Sequence, residues 1–143
     1  MRTWAEGILA TAVVVAIGLA MFLATGESLT GDSATTTIPV TTDPEAAMRG
    51  AVLAEGTGCL QCHSVDGTPG SSGPTWKGVA GSSRPLETGE TVIADDDYLR
   101  RSIVDPYTEL LAGYTDVMPD TYGTQLTPEE IDDLVEYIKS LAA

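Results

Sequence analysis

Both cysteines of this chain and its sole histidine fall within five consecutive residues, Cys59-Leu60-Gln61-Cys62-His63. Three readings of such a cluster compete: a redox dithiol, half of a metal site, or an attachment point for a group that the chain does not encode. The choice bears on the fold, because only the third supplies the domain with interior volume beyond its own side chains.

Size and charge narrow the setting. A length of 143 residues allows one domain plus an accessory segment. Acidic residues outnumber basic ones 21 to 7, which argues against nucleic acid or anionic lipid as a partner and favours a cationic protein surface. A bridge between Cys59 and Cys62 would close only a very small ring, so the pair is not expected to act as a structural staple.

Residues 8–24, ILATAVVVAIGLAMFLA, are seventeen residues without a charge. That is at the lower limit of a membrane-spanning helix and longer than most signal-peptide apolar cores. The expectation is an N-terminal anchor over residues 1–25. The alternative is a cleaved signal peptide, for which Ala24-Thr25-Gly26 offers small residues. Arg2 precedes the apolar run and Glu27, Asp32 and Asp43 follow it, so the N-terminus is expected in the cytoplasm and the remainder exported. Residues 26–43, rich in Thr and Ser, read as a flexible linker with little to bury, of about 25 Å root-mean-square span.

The folded domain is expected over residues 44–143. Asp43-Pro44-Glu45 has the form of a helix start, with an acidic cap and a proline at the first position. Asp95-Asp96-Asp97 opens a second helix carrying Tyr98, Leu99, Ser102 and Ile103, which Pro106 ends. Thr127, Pro128 and Glu130 form a capping box ahead of Ile131, Leu134, Val135, Ile138 and Leu141 on one face. No segment shows convincing strand alternation, so the class is all-α: three to four short helices joined by long loops at 66–84 and 106–127.

About a hundred residues with so few helices make a poor apolar centre, and the only Phe, Phe22, lies in the apolar leader. A large flat apolar cofactor would supply one. C-x-x-C-H is the pattern of covalent haem c attachment. Thiols three residues apart on a helical turn can add to the two vinyl groups along one porphyrin edge, and His63 then presents its imidazole to the iron. The rivals fit less well. A thioredoxin-type dithiol calls for a preceding strand, and a structural zinc needs four ligands where two Cys and one His are available.

With His63 as one axial ligand there is no second histidine, and methionine is the usual alternative in electron carriers. Met1 is the initiator, Met21 lies in the apolar run and Met48 falls on the first helix. Met118, in a polar loop stiffened by Pro119, remains. Lys77, Lys139 and an open coordination position are the outside readings.

At this point the residues resemble class I cytochromes c, over about 45–143. The C-x-x-C-H with a downstream Met118-Pro119 carries the resemblance. Gly50 looks like the family's helix-crossing glycine, with Leu134 and Tyr137 as its partners on the last helix, and Ala54 stands where the family often has an aromatic. The resemblance implies that the carbonyl of Pro74, in Gly73-Pro74, accepts a hydrogen bond from the His63 imidazole, and that Pro74 and Trp76 pack about the haem. GPTWKGVAG and SIVDPYTELLAGYTDVMP look most like the cytochrome c domain fused to subunit II of haem-copper oxidases. Those subunits carry a copper domain with its own Cys and His set, which this chain lacks.

Two protein ligands to the iron leave no vacant position for a substrate, so the expectation is single-electron transfer rather than catalysis. The resemblance implies a respiratory route, from a quinol-oxidising complex to a haem-copper terminal oxidase, on the periplasmic or extracellular side of the cytoplasmic membrane. The alternatives are a fixed haem c subunit of a larger respiratory complex, and a haem peroxidase or sensor with a labile Met118. Residues 45–143 hold seventeen acidic against six basic residues, a net of −11. Docking is therefore expected on a basic partner face, or through the raised local concentration that a tether supplies.

Overall fold

Asp43 starts the first helix, α1 (Pro44–Gly56), by accepting hydrogen bonds from the backbone N–H of Glu45 at 2.9 Å and of Ala46 at 3.2 Å. The computed structural model of the protein describes residues 40–142. The expected anchor, and the linker as far as residue 39, lie outside the described residues. No helix among the described residues is long and apolar enough to cross a membrane.

A short 3-10 turn, Cys59–Gln61, follows α1. Next come a hairpin of β1 (Ser83–Pro85) and β2 (Thr91–Ile93), α2 (Asp96–Val104), the one-turn α3 (Tyr122–Gln125), and α4 (Pro128–Ser140). The expected caps are in place. Asp95 accepts from the N–H of Tyr98 at 2.8 Å. Thr127 and Glu130 exchange both bonds of a capping box, at 3.2 and 2.8 Å.

The hairpin modifies the all-α expectation. Ser83 pairs with Ile93, Arg84 with Val92 and Pro85 with Thr91. Three-residue strands are too short to display a period of two, and one of them contains a proline, so the pattern was invisible in the sequence. The hairpin also organises the second long loop. Leu86 bridges to Leu111, and Ala112 donates to the Pro85 carbonyl at 2.9 Å.

α1 packs chiefly on α4. α1 buries only small residues, Ala46, Ala47, Gly50 and Ala54, whereas α4 buries Ile131, Leu134, Val135 and Ile138. The flat face of α1 lets the two backbones approach: a Cβ on Gly50 would meet the carbonyl oxygen of Asp133 at 2.0 Å and the Cβ of Tyr137 at 2.9 Å. Arg49 clasps Asp133 with two bonds of 2.8 and 2.6 Å beside this crossing, and the N–H of Asp43 donates to Glu136 at 2.6 Å. Ala54 is fully enclosed.

The core is thin. Among the described residues, Leu134 and Val135 are the largest side chains that are fully buried. Leu99 and Ile103 from α2, Trp76 and Val79 from the first long loop and Leu86 after β1 also join it. That loop is held by its backbone: Trp76 N–H donates to Ser64 at 2.8 Å and Gly73 N–H to Cys62 at 3.0 Å. The second bond folds the loop back over the 59–63 turn.

Candidate functional site

An open cleft runs between the 59–63 turn, α2 and the loop before α3. Its walls are largely apolar, as those of small-molecule and cofactor sites are. Cys59, Cys62, His63, Pro74 and Met118 all line it, although Met118 lies 55 positions from His63 in the sequence. Trp76 does not line it. Lys77 and Lys139, the rival iron ligands, are also absent from its walls, and Met48 projects from α1 with 65% exposure.

The chain brings both thiols to the cleft by tightening into the 3-10 turn, in which the N–H groups of Cys62 and His63 both donate to the Cys59 carbonyl at 3.2 and 3.0 Å. Both cysteines are free and half-buried. The Thr57 hydroxyl lies 3.3 Å from the Cys59 sulfur. Beside them Tyr122, the first residue of α3, lines the cleft and donates from its hydroxyl to the Thr57 carbonyl at 3.4 Å. Its phenol pKa is pushed up by burial, and further by the neighbouring Cys59 and Cys62 thiols.

His63 is held by a hydrogen bond and a ring stack. Its Nδ1 lies 2.9 Å from the carbonyl oxygen of Pro74, and since a carbonyl only accepts, Nδ1 carries the proton. Nε2 is thereby left as the nitrogen with a free lone pair. Burial pushes the imidazole pKa down, outweighing the opposing effect of the Pro74 hydrogen bond, so the ring is neutral at neutral pH. Behind it, Trp76 stacks with ring centroids 5.0 Å apart and planes at 27°, and Tyr137 meets Trp76 edge-on at 6.0 Å. The imidazole thus rests, through Trp76 and Tyr137, on the α1–α4 crossing. Trp76, read from the sequence as packing about the haem, reaches the cleft only through His63.

Whether these walls suit a haem can be tested on their own chemistry. Two thiols, a neutral imidazole and a thioether stand around an apolar space, a donor set matched to a porphyrin iron. The hydroxyl oxygen of Ser102, buried on the cleft wall, has no hydrogen-bond partner among the described residues. A buried polar group left unpaired costs free energy, so such a hydroxyl fits a wall that faces a bound group. The residues present fit a haem.

Three residues at the site carry little or no sequence signal. Ser102 lies four residues after Tyr98 on α2, and that spacing is its one signal. Tyr122 sits in a stretch with no helical periodicity. Tyr107, just beyond Pro106, donates from its hydroxyl to the backbone carbonyl of Met118 at 2.9 Å, and no sequence signal pointed to it.

Compared with known proteins, residues 47–142 match the family model described as cytochrome c. Among solved structures, the chain is similar to cytochrome cH from Methylobacterium extorquens, at 25% identity over 66% of this chain and 97% of that chain, with a TM-score of 0.47. No curated protein matches it.

Proposed function

The chain belongs to the cytochrome c family, and from that premise we propose that it is a membrane-tethered electron carrier whose single haem c is bonded to Cys59 and Cys62 and ligated by His63 and Met118. Family membership implies a haem protein of one-electron transfer, not an enzyme, with redox proteins as partners. The observation that supports the ligand set is the convergence of both thiols, the imidazole and the Met118 side chain on one apolar cleft.

The bound haem supplies an iron that takes up and releases one electron. The protein's own groups set the conditions. Cys59 and Cys62 would hold the group at the 3-10 turn. Pro74 keeps the proton of His63 on Nδ1, which leaves the Nε2 lone pair free to ligate an iron and would raise its basicity. The thioether of Met118 would be the second protein ligand, excluding substrates and favouring the reduced state. Apolar walls disfavour the extra ferric charge and exclude water, which acts in the same direction.

Residues 1–25 anchor the domain in the cytoplasmic membrane through the linker 26–43, with the haem domain on the periplasmic or extracellular side. Electrons pass from a quinol-oxidising complex to a haem-copper oxidase. Tethering keeps the carrier near its partners despite its acidic surface. The supports for this placement are the uncharged run 8–24, the charge asymmetry around it, and the resemblance to oxidase-fused domains.

The test is Met118→Ala in the full-length holoprotein, with haem staining and intact mass of the membrane fraction. Wild type is expected to retain haem covalently, keep its leader, and show the weak far-red band of thioether-ligated ferric haem. Met118→Ala is expected to lose that band and to have a lower reduction potential. Loss of neither overturns the ligand set, and a soluble product without the leader overturns the tether.

A further inference from the structure

We infer that Tyr107 is the positioning residue for Met118: a latch that sets how readily the thioether leaves the iron, and so whether the protein stays a closed electron carrier or opens to an added ligand. The inference rests on the proposed ligation by Met118. Residues 115–120 make a single hydrogen bond to the rest of the described protein, and it is the one from the Tyr107 hydroxyl to the Met118 carbonyl, 2.9 Å long. The other bond in this stretch, Val117 N–H to Thr115, is internal to it. Pro119 stiffens the backbone but ties it to nothing.

The latch is mounted on a braced turn. Pro106 follows the end of α2, and Thr108 returns to Asp105 with its hydroxyl at 2.5 Å and its N–H at 3.3 Å. One residue further, Glu109 forms a fork with Arg101 of α2, with bonds of 3.0 and 3.2 Å. Tyr107 therefore lies within a turn pinned from Asp105 to Thr108 and followed by the anchored Glu109, while it is itself 46% exposed. A hydroxyl on a fixed turn can hold a segment that makes no other hydrogen bond to the rest of the described residues. Because the bond goes to the backbone carbonyl of Met118, it constrains the residue's position and leaves the sulfur free. Val117, beside it, is 57% exposed, so no burial of that neighbour substitutes for the bond.

Tyr107→Phe removes the hydroxyl and keeps the ring. In the ferric full-length holoprotein, uptake of added imidazole should be faster in this variant by roughly two- to tenfold, the range for loss of one net hydrogen bond. The far-red band should fade at a lower temperature than in wild type, while global unfolding by urea shifts little. Equal imidazole uptake by Tyr107→Phe and wild type overturns the latch. Met118→Ala distinguishes failure of the latch from failure of the ligand set. If wild type takes up imidazole as fast as Met118→Ala does, Met118 is not the ligand and the proposed function's ligand set fails, whatever Tyr107 does. If wild type is slow, Met118→Ala fast and Tyr107→Phe slow, the ligand stands and only the latch falls.

Discussion

Gly73 passes so close to His63 that a Cβ built on it would lie 2.5 Å from Cε1 and 2.7 Å from Nδ1 of the imidazole. The contact follows from the bond between Gly73 N–H and the Cys62 carbonyl, which lays the loop across the ring and delivers the Pro74 carbonyl to Nδ1. With Trp76 stacked on the ring as well, the imidazole has little room to move aside. Gly73→Ala is therefore expected to displace the Pro74 carbonyl or tilt the ring. The holoprotein should then show a shifted reduction potential and an altered ferric spectrum, or accumulate at less than about a tenth of the wild-type yield by haem stain, the low end of the roughly 10–100-fold cost of losing an outer partner of a metal ligand. Wild-type yield, potential and spectrum together would show that the close approach is not needed.

At the helix crossing the same physics acts on stability. A methyl group on Gly50 would overlap the backbone of Asp133, which cannot rotate away as a side chain can. Gly50→Ala should cost at least 1–3 kcal/mol, about what overpacking costs. In a domain of this size that lowers the melting temperature by roughly 5–20 °C. Gly56, at the end of the same helix, has nothing within 4 Å of where its Cβ would stand, so Gly56→Ala should stay within about 1 kcal/mol of wild type. Thermal unfolding of both variants checks the contrast, and similar melting temperatures would refute it.

Lys139 gives the fold a dependence on alkaline pH. Its side chain is 8% exposed and donates to Glu136 at 2.7 Å and to Asp96 at 2.9 Å, joining the last turn of α4 to the first turn of α2. Burial lowers its pKa, but the two carboxylates outweigh burial and hold the ammonium above its ordinary value. A pKa raised on folding contributes stability that is fully present below the unfolded value of about 10.4, and lost as pH rises through the higher folded value. The difference in urea midpoint between wild type and Lys139→Met should therefore shift against wild type between pH 8 and pH 11.5. A constant difference over that interval would remove Lys139 as the source.

Much of the architecture was legible because it is local. A cap involves residues two or three apart, so Asp43, Asp95 and Thr127 could be assigned to helix starts from the sequence, and each cap is found in the structure. The 59–63 motif is equally local, since two thiols and an imidazole on one tight turn share a direction whatever surrounds them. Met118 was reached by counting the alternatives, which sequence permits and geometry does not enter.

Tertiary structure decided what depends on the path of the chain between such elements. The stack of Trp76 on His63, the Tyr107 bond to Met118, and the hairpin that braces residues 110–112 join segments eleven to twenty-seven residues apart through loops of no regular period. A loop carries no periodicity from which to read a facing residue, and its course is set by what it packs on. In a domain with so small an apolar core, that is the cleft itself. The sequence determined which groups can hold a haem; the fold decided that they meet in one place and that a single tyrosine hydroxyl ties down the segment carrying Met118.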